Sequence, residues 1–170
     1  MKGYIHLYTG NGKGKTTAAI GLAVRAVGAT KKVFIAQFVK GMKYSEIMAL
    51  ENFPEITIEQ YGSECFIKNQ PTQKDIELAQ DGFNKVSDII LSNQYDIVIL
   101  DELNIALYYK LLDMQNVLSV LKSKPEETEI IITGRYATKE LYDISDLITE
   151  MKEIKHYYNE GVVARKGIEF

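Results

Sequence analysis

The run Thr9-Gly10-Asn11-Gly12-Lys13-Gly14-Lys15-Thr16-Thr17 concentrates the residues of this 170-residue chain whose types and spacing can bind an anion. Glycines at 10, 12 and 14 let the backbone turn so that successive N–H groups point inward, making a concave anion nest at the positive end of the helix that follows. Lys15 is placed to neutralise phosphate oxygens, and the Thr16 hydroxyl to ligate a magnesium ion that bridges them. Lys13 reads equally well as a phosphate contact or as a solvated surface lysine. The usual pattern opens with glycine where this chain has Thr9, and here the glycine stands at position 10. A second motif, Tyr95-Asp96-Ile97-Val98-Ile99-Leu100-Asp101-Glu102, is an apolar strand ending in two carboxylates. In phosphate-loop proteins an acid at that place holds the water shell of the metal or prepares a nucleophile, so Thr16 and Asp101 are the expected metal residues. Capping of the next loop is the blander use of Asp101 and Glu102, and the glycine loop in the same chain favours the metal. The two motifs together specify a polyphosphate nucleotide with a metal, and they leave the reaction open.

Such a loop works only between a strand and a helix. Five short apolar runs read as strands: Tyr4 to Tyr8, Val33 to Phe38, Ile56 to Tyr61, Ile97 to Leu100 and Ile130 to Ile132. Several are apolar throughout, the pattern of a parallel sheet covered on both faces. Thr16 to Val27 is Ala-rich and reads as a largely buried helix, with Gly28 expected to end it in a left-handed cap. Ile76, Ala79, Phe83, Val86 and Ile90 line one face of a helix opened by Thr72 with Asp75 three residues on. Another helix runs from Asp113 through Val117, Leu118 and Leu121 to the Lys124-Pro125 stop. Alternating strands and helices imply an α/β architecture in three layers, a mostly parallel central sheet with helices on both faces, and with the glycine loop the expected fold is that of a phosphate-loop NTPase (RecA-like). Ligands of such sheets bind beyond the carboxyl ends of the strands. The irregular stretches Lys40 to Glu46 and Gly62 to Pro71 both follow strands, which puts them on that rim. Leu147 to Ile154 reads as a further strand, and Gly161 to Phe170 is left undecided.

Length and composition set the outer bounds. A chain of 170 residues with 46% hydrophobic and 25% charged residues is one globular domain, residues 1–170, and neither disordered nor collagen-like. The net charge of −3 supplies no global positive field for nucleic acid. No window is long and apolar enough for a membrane helix, and the start runs too soon into the glycine loop to be a signal peptide. One cysteine, Cys65, excludes an intrachain disulfide and a multi-cysteine zinc site, which points to a reducing cytoplasm.

Several stretches, in order along nearly the whole chain, resemble one family. They are Tyr8 to Ala19, Gln37-Phe38-Val39-Lys40-Gly41, Val98-Ile99-Leu100-Asp101-Glu102-Leu103-Asn104, Ile132-Thr133-Gly134-Arg135 and Val163-Ala164-Arg165-Lys166-Gly167-Ile168-Glu169-Phe170. The pattern resembles the ATP:corrinoid adenosyltransferases of the phosphate-loop type. The resemblance implies a homodimeric transferase that moves the 5′-deoxyadenosyl group of ATP to the Co(I) of a corrinoid and releases triphosphate, in adenosylcobalamin biosynthesis or salvage. It implies Mg²⁺ or Mn²⁺ as the ion and a flavoprotein as a source of electrons. Carried over by position, Gly10, Asn11, Gly12, Lys13, Gly14, Lys15, Thr16 and Thr17 hold the triphosphate, with Lys15, Thr16 and Glu102 as catalytic residues. Glu102 and Arg135 contact the nucleotide beyond the loop, and Arg25 on the first helix reaches phosphate. Phe66 falls where the family places an aromatic beneath the corrin ring. Lys68 stands where well-known members have tryptophan, with Tyr61 or Ile67 as substitutes, and the helical N-terminal extension of some members is not seen here. His156 matches a family Lys-His pair without a physical role of its own.

That chemistry needs no protein nucleophile, because the reduced cobalt supplies it. Positive groups around the phosphates stabilise the leaving charge, and positioning and exclusion of water complete the task. Two rivals share the motifs. A small nucleotide kinase or ATPase would use the same loop and Asp101-Glu102, although the closing segment lacks an arginine-rich lid. An ATP-sensing or single-strand-binding module is disfavoured by the charge and by the lack of an aromatic-basic stripe.

Overall fold

A computed structural model describes residues 2–63 and 70–170. Strands β1 (Ile5–Thr9), β2 (Val33–Phe38), β3 (Ile56–Tyr61), β4 (Ile97–Asp101), β5 (Glu129–Thr133) and β6 (Leu147–Glu150) form one sheet in the order β3-β2-β4-β5-β1-β6. Every neighbouring pair is parallel, from Val33 opposite Ile97 to His6 opposite Leu147. The helices are α1 (Lys15–Val27), α2 (Ser45–Leu50), α3 (Gln73–Ser92), α4 (Leu103–Tyr108), α5 (Met114–Lys122) and α6 (Lys139–Ile144), with a 3₁₀ turn at Tyr157–Glu160.

The unbroken apolar strands follow from burial on both faces. In β2, Phe34, Ala36 and Phe38 point into one core with Ala79, Phe83, Val86 and Ile90 of α3, while Val33 and Ile35 point into the other with Ala19, Ala23 and Ala26 of α1. Alternation along the strand therefore serves two apolar layers, giving the three-layer α/β architecture. Helix α3 opens with the predicted capping box: the Asp75 amide donates to the Thr72 hydroxyl, and the Asp75 carboxylate accepts from the Thr72 amide. The Asp113 carboxylate accepts from the Asn116 amide and starts α5.

Two expectations are corrected in detail. Gly28 is not the left-handed cap of α1; its φ of −59° is right-handed, and the left-handed residue is Thr30 with φ of 58°. The Thr30 amide donates to the Val27 carbonyl and the Lys31 amide to the Ala26 carbonyl, so a Schellman closure falls two residues later, on a threonine. The strand expected over Leu147 to Ile154 ends at Glu150. There the chain turns toward the glycine loop, and the Met151 carbonyl accepts from the Gly12 amide. Helices α2, α4 and α6, each six residues long, have too few turns for a periodic apolar face to stand out.

All six strands run the same way, so the turns after β1, β2, β4 and β5 meet at one edge of the sheet. That edge is where an open parallel sheet binds ligands.

Candidate active site

Residues 10–14 leave β1 and turn into α1, whose first residue is Lys15. Gly10 has φ of 97°, and a Cβ there would stand 2.5 Å from the Met151 carbonyl oxygen. Gly14 has φ of 117° and sits just before the first turn of α1. Both backbone shapes disfavour L side chains, so these two glycines make the loop possible. The Lys15 ammonium folds back over the loop and donates to the Gly10 carbonyl at 2.8 Å and the Gly12 carbonyl at 2.7 Å. Burial pulls its pKa below the ordinary lysine value, with Glu102 and Asp101 opposing and Arg135 assisting.

Asp101, the last residue of β4, is 1% exposed and accepts four hydrogen bonds. Thr16 Oγ1 donates to Oδ1 at 2.8 Å and Thr133 Oγ1 to the same oxygen at 2.7 Å; Lys40 Nζ donates to Oδ2 at 2.8 Å and Gln37 Nε2 at 3.1 Å. Burial works to raise the Asp101 pKa, but the Lys40 charge and the donated hydrogen bonds outweigh it and hold the carboxyl below its usual range. The adjacent Glu102 shifts the other way, raised first by burial and then by the Asp101 charge, with Lys40, Lys15 and Arg135 opposing. Glu102 takes a left-handed backbone, φ 59°, and its amide donates to Thr133 Oγ1 at 3.0 Å. That kink turns two consecutive carboxylates to different uses, Asp101 into the buried network and Glu102 onto the wall of a cavity.

The cavity has a volume of about 870 Å³. One wall carries Gly12, Lys13, Lys15, Thr16 and Thr17, and another Lys40, Glu102 and Arg135. Tyr44, Ile105, Tyr109 and Tyr136 add apolar surface, and residues 167–170 line the cavity as well. Gly10, Asn11 and Gly14 shape the loop without lining the cavity in this arrangement. Arg25 stands apart: it is exposed in the last turn of α1, at the opposite end of that helix from the loop, and it does not line the cavity. Tyr61 is not on the wall either; its ring packs on Phe38 and its hydroxyl donates to Glu59. Phe66, Ile67, Lys68 and Cys65 lie outside the described residues.

Three contributions were not singled out from the residues. Lys40 follows β2 in a stretch read as rim and as part of the family pattern, without a role of its own, and its ammonium enters the centre of the network. Asn104, 1% exposed, donates from Nδ2 to the Gly134 carbonyl at 2.8 Å and so holds the turn that presents Arg135. The C-terminal segment clasps the loop: Lys13 Nζ donates to Glu169 at 2.7 Å, to the Ile168 carbonyl at 2.9 Å and to the Tyr157 hydroxyl at 3.1 Å. Tyr157 also donates to Glu169, and the Arg165 amide donates to the same carboxylate at 2.7 Å. His156 lies on the cavity wall at the foot of this segment. Only the short motif Lys-Gly-Ile-Glu-Phe hinted at any of this, because the pairing spans more than 150 residues of chain.

The clasp leads to an expected result. The Lys13 ammonium and the Tyr157 hydroxyl hold the Glu169 carboxyl far below the usual carboxylate range. A depressed folded-state pKa means that the contact contributes fully above the ordinary glutamate value and is lost only as pH falls through the depressed one. Glu169→Gln will therefore speed amide hydrogen exchange over residues 165–170 at neutral pH, whereas acidifying the unmodified protein to about pH 5, still above the ordinary glutamate value, will leave exchange there slow once the intrinsic rate is corrected. Equal protection in the variant would contradict the clasp.

For a metal, the donor set is sparse. Among the described residues no group of three or more His, Cys, Asp or Glu side chains could hold an ion. A hydroxyl and one carboxylate, with nucleotide phosphates and water completing the shell, suit Mg²⁺ or Mn²⁺, which seldom occupy all-protein cages. The residues therefore fit an ion that arrives with a polyphosphate.

A glycine loop that opens a helix, its hydroxyl bonded to a strand-end carboxylate on an all-parallel sheet, defines a phosphate-loop nucleotide-binding protein. The fold agrees with that of a KaiC-like protein from the hyperthermophilic archaeon Pyrococcus horikoshii, with a TM-score of 0.56 at 12% identity over 91% of this chain and 75% of that one. Residues 1–170 match the family model described as ATP:corrinoid adenosyltransferase BtuR/CobO/CobP, and the chain belongs to that family. Corrinoid adenosyltransferases of Pseudomonas aeruginosa and a Sinorhizobium species are 33% and 36% identical to it, over 99% of this chain and 84% and 81% of theirs. That of Salmonella typhimurium is 34% identical over 99% of this chain and 86% of its own length. The protein is thus an enzyme that transfers the adenosyl group of ATP to a corrinoid, which decides against the kinase or ATPase reading. Among the described residues no helix is long and apolar enough to cross a membrane.

Proposed function

We propose that the loop of residues 10–17 grips the triphosphate of ATP while the Co(I) of a bound corrinoid attacks the ribose 5′ carbon. A cobalt–carbon bond forms with the electron pair of the metal, the bond from that carbon to a phosphate oxygen breaks, and inorganic triphosphate leaves. The observation that carries this reading is the convergence of Lys15 and Arg135 on one cavity with the Thr16–Asp101 pair. Cations there stabilise charge that grows on the departing triphosphate, which lowers the barrier more than it strengthens binding. Lys15 and the loop amides take the phosphates, Glu102 and Arg135 position the nucleotide, and Thr16, with Asp101 behind it, would hold Mg²⁺ or Mn²⁺. A bound ion would neutralise phosphate charge.

Tyr44, Tyr109 and Tyr136 and residues 167–170, which line the cavity, support exclusion of water from the reacting centre. Phe66 is the proposed aromatic on the corrin side. A single domain over residues 1–170 accords with the span of the family match. Exposed Leu147 and Ile148 on β6 and exposed Tyr108 and Tyr136 support a homodimer. A reducing cytoplasm with a flavoprotein donor suits both Co(I) and a single cysteine.

The test is product analysis with ATP, Mg²⁺ and chemically reduced cobalamin. Intact triphosphate and a light-sensitive cobalt–carbon product in equal amounts are expected; ADP and phosphate at a comparable rate would refute the reading.

A further inference from the structure

Lys40 brings a positive charge to the place where phosphate-loop chemistry expects a metal. Its side chain is 9% exposed, and its ammonium lies 2.8 Å from Asp101 Oδ2 and 3.4 Å from Thr16 Oγ1. These are the hydroxyl and carboxylate proposed above to orient a divalent ion, so the ammonium and such an ion would compete for one space. The need for a cation is plain from the surroundings. Asp101 and Glu102 are consecutive carboxylates in a low-dielectric setting, and Asp101 is wholly buried. Leaving Asp101 with hydroxyl and amide donors alone would keep a buried charge uncompensated. The Lys40 side chain also lines the nucleotide cavity and approaches the Tyr44 ring at 5.9 Å from the centroid. It thus has a route toward phosphate when another cation takes its place.

We propose that Lys40 is a stand-in cation: it occupies the metal position of the nucleotide-free protein, so that a divalent ion enters only together with nucleotide phosphates that draw the ammonium aside. This rests on the nucleotide–metal part of the proposed function and adds an order to it. The free enzyme rejects the bare ion, and the metal–nucleotide complex is the species that binds. Lys40 acts here as a positioning residue for both Asp101 and the ion.

The experiment is a Mn²⁺ titration without corrinoid, read from the electron paramagnetic resonance signal of the free ion. Nucleotide-free wild type is expected to bind Mn²⁺ weakly, and Lys40→Met to gain one site at least about tenfold tighter, the modest end of what removing a unit charge a few ångströms from a divalent ion gives. Lys40→Met/Asp101→Asn should lose the gained site, which places the ion at Asp101. Melting curves give a second readout, with Mn²⁺ raising the melting temperature of Lys40→Met and not that of wild type. If Lys40→Met proves too unstable to titrate, Lys40→Gln, which still donates to Asp101 without charge, carries the same prediction. Wild type that binds Mn²⁺ as tightly as the variant, or a folded variant with no new site, overturns the proposal. Failure of ATP to bring Mn²⁺ into wild type would instead refute the nucleotide reading, and the variant's gained site would still register separately.

Discussion

Lys15→Ala will weaken ATP binding about 10- to 100-fold, the loss of one charge-assisted contact, and will lower kcat/KM about 1,000-fold. Calorimetric titration with ATP and steady-state formation of the cobalt–carbon product measure the two. The larger effect on turnover follows from where charge develops. A phosphate chain already anionic in the ground state gains further charge as its bond to the 5′ carbon breaks, and Lys15, which lines the cavity, is available to neutralise it. Its present partners are the carbonyls of Gly10 and Gly12, which the ammonium would exchange for phosphate oxygens. Losing those two bonds should shift stability by about 1 kcal/mol, because the cost of burying the Lys15 charge is relieved at the same time. A melting temperature near that of wild type beside lost affinity would therefore mark a binding role. Unchanged ATP affinity would remove Lys15 from the site.

Asp101→Ala carries the largest expected effect on stability. Four side chains donate to this carboxylate, and truncation leaves the Lys40 ammonium buried without its counter-charge. Breaking a buried pair from one side costs about 3–5 kcal/mol. That is a large fraction of the roughly 5–15 kcal/mol by which domains are stable. Urea unfolding should show the loss as a lower midpoint. The double variant Asp101→Ala/Lys40→Met should recover much of it, since the stranded charge is gone, while adenosyl transfer stays abolished. Strictly additive losses would show that the two residues do not share one network.

The site was legible where function is written in contiguous residues. Gly10 to Thr17 and the Asp101-Glu102 strand end each declare a local backbone shape and a charge, and the structure brings Lys15, Thr16, Glu102 and Arg135 to one cavity. Lys40 was not legible as a centre of the site. A lysine after a strand has the same local signature whether it faces water or a carboxylate, and only the pairing of β2 with β4 decides which. Arg25 shows the converse. Its place on the first helix invites a phosphate contact, yet the length of α1 carries it to the far end, exposed.

Local chemistry in the sequence alone determined the three-layer α/β class, the strands, the capping box of α3 and the phosphate loop, because apolar periodicity and turn residues act over a few positions. Tertiary structure alone decided the strand order, the Lys40–Asp101–Thr16 triangle and the clasp of Glu169 on Lys13. Those contacts join residues 24 to 156 positions apart, and their energies depend on burial and on a neighbouring charge that no short window of sequence contains.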